Sequence, residues 1–188
     1  MPRPKLHSDE AILDAAMSVL LRSGPGAFTL NDVAVAVGMS RAALIQRFKN
    51  KDHLYFRLME RTAEQKREYF AGLPVEVGAQ GLWRFLKTLV SVMGEGEGLD
   101  AHLLLAWEDV RDPTLRRMAH ERNLLVRDAI AVRLPPSVDR GAVSALLQDV
   151  IAGATMQWLV ERTPPLTEYV LARLRTLLGC VFPRESFD

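Results

Sequence analysis

Apolar residues return at helical intervals along nearly the whole chain, and nowhere do they alternate at the period of two that a half-buried strand requires. Ile12, Ala15, Ala16, Val19 and Leu20 keep the i, i+3, i+4, i+7, i+8 spacing of a single helical face. An all-α fold follows, and the remaining question is where each helix stops. Ser8 is placed to cap the first helix, with Asp9 and Glu10 in its positively polarised first turn, and Gly24-Pro25-Gly26 end it. Thr29 and Asp32 have nearly the spacing and chemistry of a capping box and open a second helix of about two turns, which Gly38 closes. Ser40 caps a third short helix, "RAALIQRF", and Asn50 with Asp52 caps a fourth running to about Phe70. Further helices are expected near 79–93, 99–108, 112–134, 138–162 and 166–182, separated by "GEGEG", Pro135-Pro136 and Pro164-Pro165.

The second and third helices, joined by Gly38-Met39-Ser40, have the dimensions of a helix-turn-helix, whose second helix fits a DNA major groove. Val33, Val37, Met39, Leu44 and Phe48 would face helix one, with Ala34 small enough for close approach. Arg41, Ala42, Ile45 and Gln46 are left outward, with Arg47, Lys49 and Lys51 clustered after them. Periodicity alone leaves open that two short helices merely complete a small bundle. Charge is permissive: residues 1–70 carry 11 Lys+Arg against 8 Asp+Glu (+3) and residues 71–188 carry 13 against 15 (−2), which together give the net +1.

The segment "TLNDVAVAVGMSRAALIQRFKNKDHLYFRLME", residues 29–60, resembles the DNA-binding segment of the tetracycline-repressor-type (TetR) family of transcriptional regulators. The likeness lies in Thr29, Val33-Ala34, Val37-Gly38-Met39-Ser40, Leu44, Phe48, Lys51 and Leu54, and helix one fits at Ile12, Ala15 and Ala16. The resemblance implies a helix-turn-helix domain over 1–54, a connecting helix to about 70, and a helical regulatory and dimerisation domain over 71–188. It implies a homodimer on a palindromic double-stranded DNA operator, a repressor released by a small-molecule inducer. The DNA-contacting set it implies is Thr29, Ser40, Arg41, Ala42, Ala43, Ile45, Gln46, Arg47, Lys49 and Lys51, with Lys51 on phosphate. Ile45 stands where the family usually has tyrosine and Ala43 where it usually has threonine; Arg47 is expected to compensate with a charge-assisted phosphate contact. Gln46 on adenine and Arg41 on guanine are the candidate base contacts, with a phosphate contact or a solvated surface side chain as the alternative for either. Arg3 and Lys5 form a basic N-terminal arm. The alternative is a helical ligand-binding or protein-interaction module with weak or lost DNA binding.

The two segments around "RTPPL" read as an antiparallel hairpin, with Ala145, Ala152, Gly153 and Met156 as a small-residue stripe suited to a four-helix dimer interface. Burial within one chain is the competing reading. A largely apolar inducer would be walled by Trp83, Phe85, Leu86, Met93, Leu104, Trp107, Met118 and Met156 and oriented by His120, Asn123 and Gln157, against the alternative that these are core residues.

Other classes find little support. "GEGEG" lacks GxGxxG spacing and follows no strand, no Glu-x-x-His pair, HExxH or GxSxG occurs, and His7, His53, His102 and His120 show no i, i+4 pairing. An enzyme, a metal site and a cofactor are therefore not expected. The start "MPRPKLHSDE" offers no apolar leader, no uninterrupted run nears the roughly 18 residues of a membrane span, and Cys180 has no disulfide partner, so a cytoplasmic protein without a membrane partner is expected.

Overall fold

The structure is a computed structural model and describes residues 7–96 and 98–188. The arm residues Arg3 and Lys5, and Glu97, lie outside the described residues. The all-α expectation holds: the described residues form helices α1 (Asp9–Ala27), α2 (Leu30–Ala36), α3 (Arg41–Phe48), α4 (Lys51–Gly72), α5 (Ala79–Ser91), α6 (Leu99–Arg111), α7 (Pro113–Ala131), α8 (Arg140–Glu161) and α9 (Leu166–Val181), with no strand among them. They gather into two compact units. One takes the described residues to Lys66 together with Asp100–His120; the other takes Arg67–Leu99 and Glu121–Asp188. The segment 100–120, expected to be regulatory, thus packs with the N-terminal helices, because Leu105, Leu115 and Met118 insert into their apolar cluster.

In the first unit Ile12, Leu13, Ala16, Val19 and Leu20 of α1 are buried against Leu30, Val33, Ala34, Val37, Leu44 and Phe48. Each such apolar side chain removed from water contributes about 1.5–3 kcal/mol. Ser8 Oγ accepts the Ala11 amide at 3.1 Å, as its capping position predicts. Gly24 breaks the helical course of α1 (φ 73°, ψ 162°), and a short helical turn follows to Ala27 rather than an immediate loop. That conformation favours glycine, and Leu104 lies so close that an added Cβ would meet it at 3.2 Å. Arg61 of α4 reaches Glu10 and Asp14 of α1 at 3.0 and 2.5 Å, holding the two helices together at a half-exposed seam.

The second unit centres on the α8–α9 hairpin packed against α5. Asp139 caps α8 by accepting the Ala142 amide at 3.0 Å, and Trp158 Nε1 donates to the Pro164 carbonyl at 2.7 Å across the connection. Tyr169 donates to Glu161 at 2.7 Å; burial, then the Glu161 carboxylate, raise its pKa above the ordinary value. Arg133 is 1% exposed, donates to the Ala129 and Pro74 carbonyls at 2.6 Å each, and lies 4.0 Å over the Phe85 ring. Carbonyl dipoles and a ring face replace the water it lost, and burial lowers its pKa. Gly94 and Gly96 of "GEGEG" meet other helices of this unit. Thr167 Oγ1 donates to the Gly94 carbonyl at 2.9 Å, while Gly96 (φ 90°) lies so close to Trp158 that an added Cβ would come within 2.4 Å of the indole.

Candidate nucleic-acid interface

The turn between α2 and α3 is closed by backbone hydrogen bonds onto the end of α2. Gly38, at φ 63°, donates to the Val35 carbonyl at 3.2 Å and Met39 donates to Ala34 at 2.9 Å, the paired bonds of a Schellman motif. Glycine takes this left-handed conformation without Cβ strain, so the chain can reverse and begin α3 at Arg41 after only two further residues. Ser40 Oγ then accepts the Ala43 amide at 3.1 Å. At the start of α2, Thr29 Oγ1 accepts the Asp32 amide at 3.2 Å and donates to the Asp32 carboxylate at 2.6 Å. This corrects the capping-box expectation in one detail: the shorter Asp side chain takes the threonine hydroxyl proton, where a glutamate would reach back to the amide of the capping residue.

With Leu44 and Phe48 locked inward, the orientation of α3 is set by its own periodicity. Arg41, Ala42, Ile45, Gln46 and Lys49 are exposed, at i, i+1, i+4, i+5 and i+8. Ala42 and Gln46 stand on one row. Arg41, Ile45 and Lys49 stand on the adjacent row and line a cleft of about 680 Å³ together with Thr29, Asn31, Asn50 and Lys51. Phe28 and Leu30 give that cleft an apolar floor, and three cations stand around it. Asn31 and Asn50 were not among the sequence-derived contacts; Asn50 had been read only as a cap, and it is one, accepting the His53 amide at 2.8 Å.

Lys49 closes α3 at φ 61° and ψ −61°, bridged by a 2.6 Å bond from the Asn50 amide to the Phe48 carbonyl. This is the geometry of a strained γ-turn, and it leaves only two residues between the end of α3 and the start of α4.

Arg47 departs from expectation. Its Nε lies 2.9 Å from an Asp9 carboxylate oxygen and its side chain is 15% exposed, so it pairs with α1 instead of standing free for phosphate. The position beside Phe48 at the border of the buried face contained that signal. Ala43 is half-buried on the same flank.

Residues 12–58 match the model of the family described as bacterial regulatory proteins, tetR family. The fold extends the likeness. A TetR transcription regulator from Haloarcula marismortui superposes with a TM-score of 0.76 at 19% identity, covering 89% of this chain and 93% of that one. The multidrug-binding protein EbrR complexed with ethidium gives 0.70 at 23%, covering 90% and 97%. SmeT, the repressor of the Stenotrophomonas maltophilia multidrug efflux pump SmeDEF, gives 0.68 at 19%, covering 93% and 90%. Residues 12–58 carry the TetR-family signature, and the chain shares the fold of these structures. No curated protein matches it at the level of sequence.

Within this TetR-type frame, Lys51 holds a structural contact: Nζ donates to the Pro25 carbonyl at 3.0 Å and lies 5.9 Å from the centre of the Phe28 ring. It remains half-exposed and lines the cleft, so two of its three donor protons are free for another partner.

The eleven expected ligand-contacting residues are not gathered around one of the principal clefts of the described residues. Trp83 and Leu86 are core: the Trp83 indole donates to the Asp188 carbonyl at 2.7 Å and meets Phe187 edge-on, and Leu86 is fully buried. Met93 packs against the same core, while Asn123, Met156 and Gln157 are exposed on the second unit. Leu104, Trp107, Met118 and His120 belong to the first unit, with Trp107 60% exposed. Helical spacing marks both core and pocket walls identically, which is why the sequence could not separate them. No group of three or more His, Cys, Asp or Glu residues able to hold a metal occurs among the described residues.

Proposed function

We propose that this chain is a homodimeric transcriptional repressor of TetR type that binds a palindromic operator through α3 and is released by a small, largely apolar inducer. The observation that carries the reading is the exposed α3 stripe: a short helix, side-chain-capped at its start, with Ala42 and Gln46 outward and a cleft lined by Arg41, Lys49 and Lys51 on its flank. Gln46 and Arg41 provide hydrogen-bonding groups for base edges, and the cleft cations together with Thr29 and Ser40 provide phosphate donors. The regulatory role falls to the helices after about residue 70.

The dimer reading is supported by α8. An 18-residue window of this helix reaches a mean hydropathy of 1.2, yet only 28% of the window is buried within the chain. By length and composition alone such a helix could cross a membrane, although Gln148, Asp149 and Gln157 interrupt its apolar run. A second copy of the α8–α9 hairpin covers the same surface in the way that two-fold symmetric helical interfaces do. EbrR, which is similar in fold, was solved with ethidium, and SmeT is a repressor; both support a ligand-released repressor in the cytoplasm.

The test is fluorescence anisotropy of the purified protein on DNA from upstream of its own gene and on scrambled DNA, across a salt series. The expected result is selective binding that falls by about 0.9 log units per log unit of salt for each phosphate contact. Arg41→Ala and Gln46→Ala are each expected to cost about tenfold in operator affinity, with the dimer intact. Absence of binding at low salt would leave the alternative reading, a helical ligand-binding or interaction module, as the better one.

A further inference from the structure

The two outward rows of α3 differ in chemistry, and the difference bears on which bases the helix reads. Ala42 and Gln46 point away from the cleft, whereas Ile45 lies within it, 37% exposed, between Arg41 and Lys49. Cations in the cleft place a DNA strand's phosphates along this row if the regulator reading holds, on which this inference rests. Ile45 then stands between the two cations that hold that backbone, facing the sugars and base edges beside it. In B-DNA the group found there is the pyrimidine C5 position, at the edge of the major groove beside its own strand. Thymine carries a methyl at that position, the one apolar feature that a base pair shows in the groove.

We propose that Ile45 is a specificity-determining residue that packs on a pyrimidine C5 methyl, so that each operator half-site holds a thymine on the strand whose phosphates occupy the cleft. The residue has no hydrogen-bonding group with which to hold phosphate or to read any other base feature. Phe28 and Leu30 line the same cleft, so the surroundings of Ile45 are apolar on that side. Only thymine and 5-methylcytosine present this group.

The experiment selects binding sites for the full chain from an unmethylated random duplex library, then replaces each selected thymine in turn by deoxyuridine, which removes only the methyl. One thymine per half-site is expected to weaken wild-type binding about 4-fold on replacement, the equivalent of burying one methyl group. Ile45→Ala is expected to bind the thymine and deoxyuridine sites equally, with unchanged circular dichroism since the side chain lies at the surface. Cytosine at that position is expected to bind about 4-fold more weakly than 5-methylcytosine, which shows that the methyl and not the base is read. A scan in which no deoxyuridine weakens wild-type binding, or in which Ile45→Ala keeps the same sensitivity, overturns the assignment while DNA reading stands. A selection that returns no preferred sequence overturns the regulator reading, and this inference with it.

Discussion

Along α3 the side chains that meet solvent are Arg41, Ala42, Gln46 and Lys49, with Ile45 at the margin; along α8 they include Leu146, Met156 and Val160, at 45%, 51% and 80% exposure. Both are surface helices of one chain. The α3 face is finished for water, since its polar groups are solvated or capped and its start is closed by the Ser40 hydroxyl. The α8 face is not, because about 25 cal/mol is forgone for each Å² of apolar surface left wet. A polar exposed face can wait for an occasional partner, whereas an apolar one of this length calls for a permanent cover. On the proposed reading, sequence-specific DNA is the transient partner of the first and a second copy of the hairpin the permanent partner of the second.

The sharpest way to break this contrast is to charge the α8 face. Met156→Lys places an ammonium at the expected dimer seam, where an unpaired charge costs about 4 kcal/mol, so the dimer Kd is expected to rise about 1000-fold in sedimentation equilibrium. Helicity is expected to be unchanged, since Met156 is 51% exposed on the outer face of α8. An unaltered sedimentation profile would mean that α8 is not the interface.

A second variant tests the interior of the same unit. Gly96→Ala drives a methyl into the Trp158 indole at a backbone φ of 90°, and overpacking of this kind costs about 3 kcal/mol. The expected drop in Tm is about 6–12 °C for a chain of this size. Gly153→Ala provides the contrast, because nothing lies within 4 Å of the added Cβ. It is expected to leave the monomer fold stable and to act only where another chain approaches.

These pairs also show what was legible beforehand. Helix positions, the caps at Ser8, Thr29, Ser40 and Asn50, and the outward face of α3 could be read because each depends on contacts within a few residues of sequence. Arg47–Asp9 and Lys51–Pro25 could not, since they join residues 38 and 26 positions apart and the same cations serve equally well on a phosphate. "GEGEG" was legible as a loop, but its packing on Trp158 was not, because glycine leaves no apolar signature of the contact it permits. The placement of the ligand candidates was hidden for a related reason: Trp83 and Trp107 look alike in sequence, yet one is core and the other is 60% exposed.

Lys51→Met separates the two roles of that residue. It keeps the apolar stem but removes the charge-assisted bond to Pro25, which is worth about 1.5 kcal/mol, so Tm is expected to fall by about 3–6 °C. If Lys51 also holds phosphate, the slope of log affinity against log salt is expected to flatten by about 0.9 per site. A fall in Tm with an unchanged slope would confine Lys51 to a structural role and leave Arg41 and Lys49 as the cations of the cleft.

The smallest effect is expected at Lys49, where stability and DNA binding should move in opposite directions. A non-glycine residue at φ 61°, ψ −61° stores about 1–3 kcal/mol of strain, against which glycine loses about 0.5–1 kcal/mol of additional chain entropy on folding. Lys49→Gly is therefore expected to raise Tm by about 2–4 °C, a net gain near 1 kcal/mol, while weakening operator binding and flattening its salt slope. The strain would then be part of what brings α3 and the cap of α4 to one cleft, since a relaxed residue with φ below zero cannot complete the bond from Asn50 to Phe48 with the same chain direction. A fall in Tm on this substitution would show that the lysine stem contributes more packing than the turn costs, and the cleft would have to be regarded as stabilised by its cations' aliphatic portions.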